Sequence, residues 1–95
     1  MRGQETVTFV VYDIEDDRVR TRIANVCKDY GLERVQYSAF CGPLNGTRRS
    51  ELAARLADTL GNEVGKVLVL PVCEKDFQAK REMLNEPRPE EVRGA

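Results

Sequence analysis

The chain has no histidine and no tryptophan, and its three cysteines, Cys27, Cys41 and Cys73, stand far apart with no C-x-x-C pair among them. Those absences exclude a Cys/His zinc centre and any histidine-based nucleophilic triad. A general base here has to be a carboxylate, a lysine or a water, and the cysteines are expected to be reduced, half-buried packing residues. No apolar run approaches the ~20 residues that cross a bilayer, and Met1 to Glu5 carries no signal-peptide core, so the expected location is the cytoplasm, away from membranes. Charge of one sign is missing too: the formal net charge is -1. That argues against nonspecific polyanion binding through overall charge. Eleven of the fifteen cations are arginine, however, whose planar fork matches carboxylate and phosphate.

What is present alternates in type. Thr6 to Asp13 is β-branched and aromatic, with Val7, Phe9 and Val11 on one face and Val10 and Tyr12 on the other, which predicts a strand apolar on both sides. Asp16 and Asp17 then occupy the N-cap and first turn of a helix whose stripe is Val19, Ile23, Val26, Cys27 and Tyr30, stopping at Gly31. From Leu32 to Leu44 the pattern sets Val35, Tyr37, Ala39 and Cys41 against Arg34, Gln36, Ser38 and Phe40, either as one bent strand or as two short ones, closed by Gly42-Pro43 and Asn45-Gly46. Thr47 is the expected N-cap of a second helix with the stripe Leu52, Ala53, Leu56, Ala57 and Leu60, ended by Gly61, and Lys66 to Cys73 forms a last strand.

With the middle stretch split, the order is βαββαβ, an α+β ferredoxin-like sandwich with an antiparallel sheet and both helices on one face. A domain of this size buries only about 60–65% of its unfolded surface. Two-sided apolar strands leave a second face to be covered, and a homodimer through that face is the expected cover. Residues 1–73 make the domain; residues 74–95 form an extension, partly disordered or docked on a partner, where Phe77, Met83 and Leu84 are scattered apolar points and 86–91 sustain neither helix nor sheet.

The chemistry centres on Asp13. A carboxylate ending a strand beside the uncovered face can meet its mate across a two-fold axis and offer hard oxygens to Mg²⁺ or Mn²⁺; equally, it can simply end the strand and solvate the turn. Glu15, Asp16 and Asp17 belong to the helix N-terminus, which favours acids. Arg20 and Arg22 flank the first helix's apolar stripe on opposite sides. Arg48 and Arg49 lie in the first turn of the second helix, where cations oppose the dipole, so they point either to an external phosphate or to plain exposure.

Tyr12-Asp13-Ile14, Arg20 and Arg22 on a helix closed by Tyr30-Gly31, then Arg34-Val35-Gln36, Ser38 and Phe40, together resemble the small CRISPR-associated nuclease and spacer-acquisition family, the second of the Cas proteins by number. The resemblance spans about residues 5 to 73. It implies a ferredoxin-like homodimer with paired Asp13 carboxylates as catalytic and metal-binding groups, holding Mg²⁺ or Mn²⁺. It also implies cleavage of RNA or DNA, a place beside a CRISPR integrase protein, nucleic-acid contacts from Arg20, Arg22 and Arg34, and support of the cleft by Tyr12, Gln36, Ser38 and Phe40. Arg48 and Arg49 join the nucleic-acid candidates on their helix-end placement, in an Asn45-Gly46-Thr47-Arg48-Arg49 opening that departs from the family's pattern. Cys41-Gly42 follow Phe40 where many members place Glu, so no acid is expected there.

Overall fold

In a computed structural model that describes residues 4–86, strand β1 (Thr6–Ile14) leads into helix α1 (Asp17–Asp29), strands β2 (Glu33–Gln36) and β3 (Ala39–Leu44), helix α2 (Gly46–Leu60), strand β4 (Gly65–Val72) and the short helix α3 (Glu74–Gln78). The sheet order is β2-β3-β1-β4 with every pairing antiparallel. This is the ferredoxin-like arrangement expected from the element order. Pro71 is tolerated because β4 is an edge strand, and Pro43 because β3 there lies beyond the stretch paired with β2.

The strand period of two divides β1 cleanly. Thr8, Val10, Tyr12 and Ile14 are buried, and the latter three join Phe40, Leu44, Ile23, Cys27, Leu52 and Leu56 in one core under the two helices. Val7, Phe9, Val11 and Asp13 point to the opposite face, level with Val72, Leu70, Leu68 and Lys66 of β4. Helix α1 begins as the sequence indicates: Asp16 caps it, its carboxylate accepting from the Val19 N–H at 2.9 Å. It ends where Gly31 takes φ 81 and donates to the Lys28 carbonyl.

Three expectations are corrected. Asn45, not Thr47, caps α2, its side chain accepting from the Arg48 N–H at 2.8 Å, because the helix already begins at Gly46 and the Asn45 amide oxygen reaches the orphan donor three residues on. The α2 stripe is narrower: Leu52 and Leu56 are buried and Leu60 packs against the core, but Ala53 and Ala57 are exposed. In the middle stretch the register shifts between Arg34 and Gln36 and a turn follows, so the simple alternation fails: Val35 and Tyr37 are exposed while Phe40 is fully buried, and β3 runs on through Gly42-Pro43 to Leu44.

Beyond Cys73, α3 folds back and sets Phe77 against Phe9, ring centroids 6.2 Å apart, so part of the extension covers one end of the uncovered face. Met83 and Leu84 are exposed. The segment expected to lack order falls, from residue 87 on, outside the described residues. Among the described residues no helix is long and apolar enough to cross a membrane.

Candidate nucleic-acid and metal site at the end of strand β1

The last residues of β1 are held on several sides. Tyr12 donates its backbone N–H to the Ser38 carbonyl at 3.0 Å, which ties the strand to the β2–β3 turn. Asp13 and Ile14 pair in register with Lys66 and Gly65. A Cβ at Gly65 would lie 2.9 Å from the Asp13 carbonyl oxygen, so β4 starts this close only because residue 65 has no side chain. On the other flank Arg20 reaches back from α1, donating to the Ile14 carbonyl at 2.9 Å and the Glu15 carbonyl at 3.3 Å while pairing with Asp17.

Those contacts dispose of the neighbouring acids. Asp16 is the helix cap and Asp17 is taken by Arg20, which leaves Asp13 exposed at the end of β1, beside its Lys66 register partner, while the exposed Glu33 lies at the far edge of the same face, in register with Cys41. Among the described residues no three His, Cys, Asp or Glu side chains cluster as a metal site. One carboxylate is half of a donor set for Mg²⁺, which characteristically takes one or two carboxylates and completes its shell with water and substrate phosphate. The residues present therefore fit the metal as a half-site that a second copy of Asp13 would complete.

Behind the strand end lies a packed layer. Tyr12, 4% exposed, stacks on Phe40 with centroids 6.4 Å apart. Burial pushes the Tyr12 phenol up, with Arg34 opposing, so it stays protonated at neutral pH. The Arg34 guanidinium sits 4.9 Å from the Phe40 ring centre and donates to the Tyr37 carbonyl. Tyr12, Arg20, Arg34, Ser38 and Phe40 thus gather around the end of β1.

The other sequence candidates lie elsewhere. Arg22 lines a groove between the start of α1 and the end of α2, in company with Asp16, Asp58 and Glu63. Gln36 borders a depression beside Phe9, Cys41 and Phe77. At the other end of α1, Arg48 lies over the Tyr30 ring at 4.5 Å from its centre, with Arg55 at 5.5 Å, and Arg49 reaches the Leu44 carbonyl at 3.5 Å. Cation–π contact with Tyr30 explains how a first-turn arginine is accommodated on α2 without an anion. Sequence reasoning passed over Thr21, Asn25, Lys28 and Tyr37, which face the same space as Arg20 and Arg34. The i, i+4, i+7 spacing of Thr21, Asn25 and Lys28, a polar stripe on one side of α1, was the available signal.

Fold and site together define a ferredoxin-like domain with an exposed carboxylate at the end of its central strand β1 and arginines behind it. Residues 6–80 match the model of the CRISPR associated protein Cas2 family, and the chain belongs to that family. A CRISPR-associated endoribonuclease Cas2 of Desulforudis audaxviator is 49% identical over 74 residues, covering 78% of this chain and 70% of the relative. A CRISPR-associated endoribonuclease Cas2 1 of Archaeoglobus fulgidus is 41% identical over 67 residues, covering 70% and 71%. In Thermoproteus tenax the relative is an endonuclease Cas1/endonuclease Cas2 fusion, 34% identical over 93 residues, 93% of this chain and 34% of the fusion. Among solved structures, a Cas2 crystal structure superposes with TM-score 0.72 at 27% identity, covering 86% of this chain and 88% of its own. A hypothetical protein from Thermus thermophilus superposes with TM-score 0.70 at 30% identity, covering 86% and 93%.

Proposed function

We propose that two copies of this chain pack through their uncovered sheet faces and act as a metal-dependent endonuclease on RNA, or alternatively DNA, in the cytoplasm during CRISPR spacer acquisition. The observation that carries this is the position of Asp13: the polar end of a central strand whose other outward residues, Val7, Phe9 and Val11, are apolar. A face of that kind favours association, and association would bring two Asp13 carboxylates together. Mg²⁺, or Mn²⁺, held by the pair would supply charge neutralisation at the phosphodiester and lower the pKa of water. The chain's own part is positional. Arg20 fixes the turn after Asp13 through two carbonyls, Gly65 lets β4 brace the strand, and Arg34, held by the Tyr37 carbonyl behind the strand end, would add positive charge for a bound strand's phosphates.

Substituting Asp13→Asn keeps the shape and removes the charge. Cleavage of single-stranded RNA with Mg²⁺ should fall by about two to three orders of magnitude, while molecular mass in solution and nucleic-acid affinity stay as in wild type. Wild-type cleavage should stop on adding a chelator. Purified wild type that cuts neither RNA nor duplex DNA with Mg²⁺ over a range of pH would overturn the catalytic assignment.

A second role is favoured by one comparison, the relative in which Cas1 and Cas2 are a single chain. In that role the dimer of this chain would be a noncatalytic scaffold that binds duplex DNA through arginines and joins integrase subunits. Spacer insertion that survives Asp13→Asn would favour it.

A further inference from the structure

Between α1 and the β2–β3 hairpin is a cavity of about 200 Å³, lined by Arg20, Thr21, Asn25, Lys28, Arg34 and Tyr37. In a chain whose charges nearly cancel, this space gathers three cations, two hydroxyls and one amide. None of the described residues that line it is acidic. Two of its cations are fixed in advance: Arg20 by the Ile14 and Glu15 carbonyls and the Asp17 carboxylate, Arg34 by the Tyr37 carbonyl and the Phe40 ring. Lys28 at the end of α1 adds a movable ammonium. Of the three cations Arg20 alone is paired with a carboxylate among the described residues, so Arg34 and Lys28 leave a net positive charge that selects an anion with several oxygens. At its mouth the Tyr37 ring is 70% exposed, propped by the Arg20 guanidinium 5.6 Å from its centre. An exposed, propped aromatic ring at the tip of a hairpin is a stacking surface.

We infer that this cavity holds one phosphate of a single-stranded nucleic acid while the adjoining base stacks on Tyr37. The cavity is smaller than a drug-sized pocket of roughly 300 Å³ or more, which suits a phosphate and part of its sugar and leaves the base outside on the ring. The selectivity follows from the ring: a duplex keeps its bases stacked inside, so it can offer the phosphate but not the base. Arg20 lines the cavity and also grips the residue after Asp13, so a strand seated here passes the end of β1. The inference rests on the nucleic-acid part of the proposed function, but not on catalysis.

The test measures binding, in the Asp13→Asn background so that nothing is cut, of a fluorescent twelve-nucleotide oligouridylate and of an RNA duplex of equal length. Tyr37→Ala should weaken the single strand by between about five- and a hundredfold and leave the duplex unchanged, with Tyr37→Phe restoring the affinity. Lys28→Gln should flatten the slope of log affinity against log salt for the single strand by about 0.7. Both side chains are exposed, so both variants should fold, as circular dichroism would check. Equal losses for single strand and duplex in Tyr37→Ala, or wild-type affinity and slope in both variants, would overturn the inference. So would inorganic phosphate shifting the Asn25 and Lys28 amide resonances while oligouridylate affinity ignores both substitutions, since the cavity would then serve free phosphate. Wild type that never cleaves, yet binds with this dependence on Tyr37 and Lys28, would remove the nuclease and keep the site. Active enzyme whose variants bind as wild type would do the reverse.

Discussion

The two faces of the sheet draw on the same strands and nearly the same residue types, yet only one is covered by the long helices α1 and α2, the other by no more than α3 at one end. On the helix side Val10 and Phe40 are wholly buried and Tyr12 nearly so. On the other side Val11, Leu68 and Leu70 remain 42%, 43% and 46% exposed. Hydrophobicity therefore does two jobs here, holding one chain together on the first face and offering a surface for association on the second. Asp13, Arg20 and Arg34 lie at the border between the two, where β1 ends and Asp13 turns outward while Tyr12 and Ile14 turn inward.

The largest effect should come from the covered face. Phe40→Ala removes a ring that stacks on Tyr12 and supports the Arg34 guanidinium, and a fully buried Phe truncated to Ala costs about 3–5 kcal/mol. Against a typical stability of about 5–15 kcal/mol that is a large share, and urea denaturation should show a midpoint shifted far down. A loss below about 1 kcal/mol would mean that the two faces are less different than their burial indicates.

Leu68→Glu tests the other face and should leave the fold standing. A charge among Val11, Leu70 and the mate's equivalent residues opposes association. Light scattering at micromolar concentration should move from about twice the chain mass to the chain mass, with the circular dichroism spectrum and urea midpoint little changed. Wild type that is itself a monodisperse monomer would break the comparison, because Asp13 would then have no mate.

Periodicity and end signals made most of the fold legible. The two-sided strand β1, the Asp16 cap and the Gly31 and Gly61 stops can be read from local chemistry alone, and so the βαββαβ order followed. The misreadings have local causes as well. One extra residue between Arg34 and Gln36 moved Val35 and Tyr37 out and Phe40 in, and a bulge leaves no mark in composition. The site was half legible: Asp13 and the arginines stand out as residue types, but the carbonyls that hold Arg20 and Arg34 belong to a turn and a strand end that only the folded chain brings near. Lys28 and Tyr37 escaped for the same reason, since nothing in their spacing joins a helix end to a hairpin tip.

The cysteines give the finest probe of the same contrast, because each sits in a different layer. Cys27 is buried beneath the helices, Cys41 is half-buried on the uncovered face opposite Phe9, and Cys73 is exposed at the cap of α3. Burial pushes the Cys27 thiol up to about 11, only partly opposed by Arg34, and raises Cys41 too, with Lys80 opposing. A thiol raised in the folded state stays neutral there while the unfolded chain ionises near the ordinary value of 9.0, so its contribution to stability is intact below that pH and is lost as pH climbs to about 11. Urea midpoints measured from pH 8 to pH 11 should therefore fall more steeply in wild type than in Cys27→Ala, by no more than about 2–3 kcal/mol over the range. Maleimide labelling at pH 8 should proceed in the order Cys73, Cys41, Cys27, the last at the rate of global opening. Raising the protein concentration should slow Cys41 alone, since only that thiol lies on the face expected to be covered by a second copy. Cys27 reacting as fast as Cys73 would show that the helix-covered face opens as readily as the bare one, and the contrast between them would be lost.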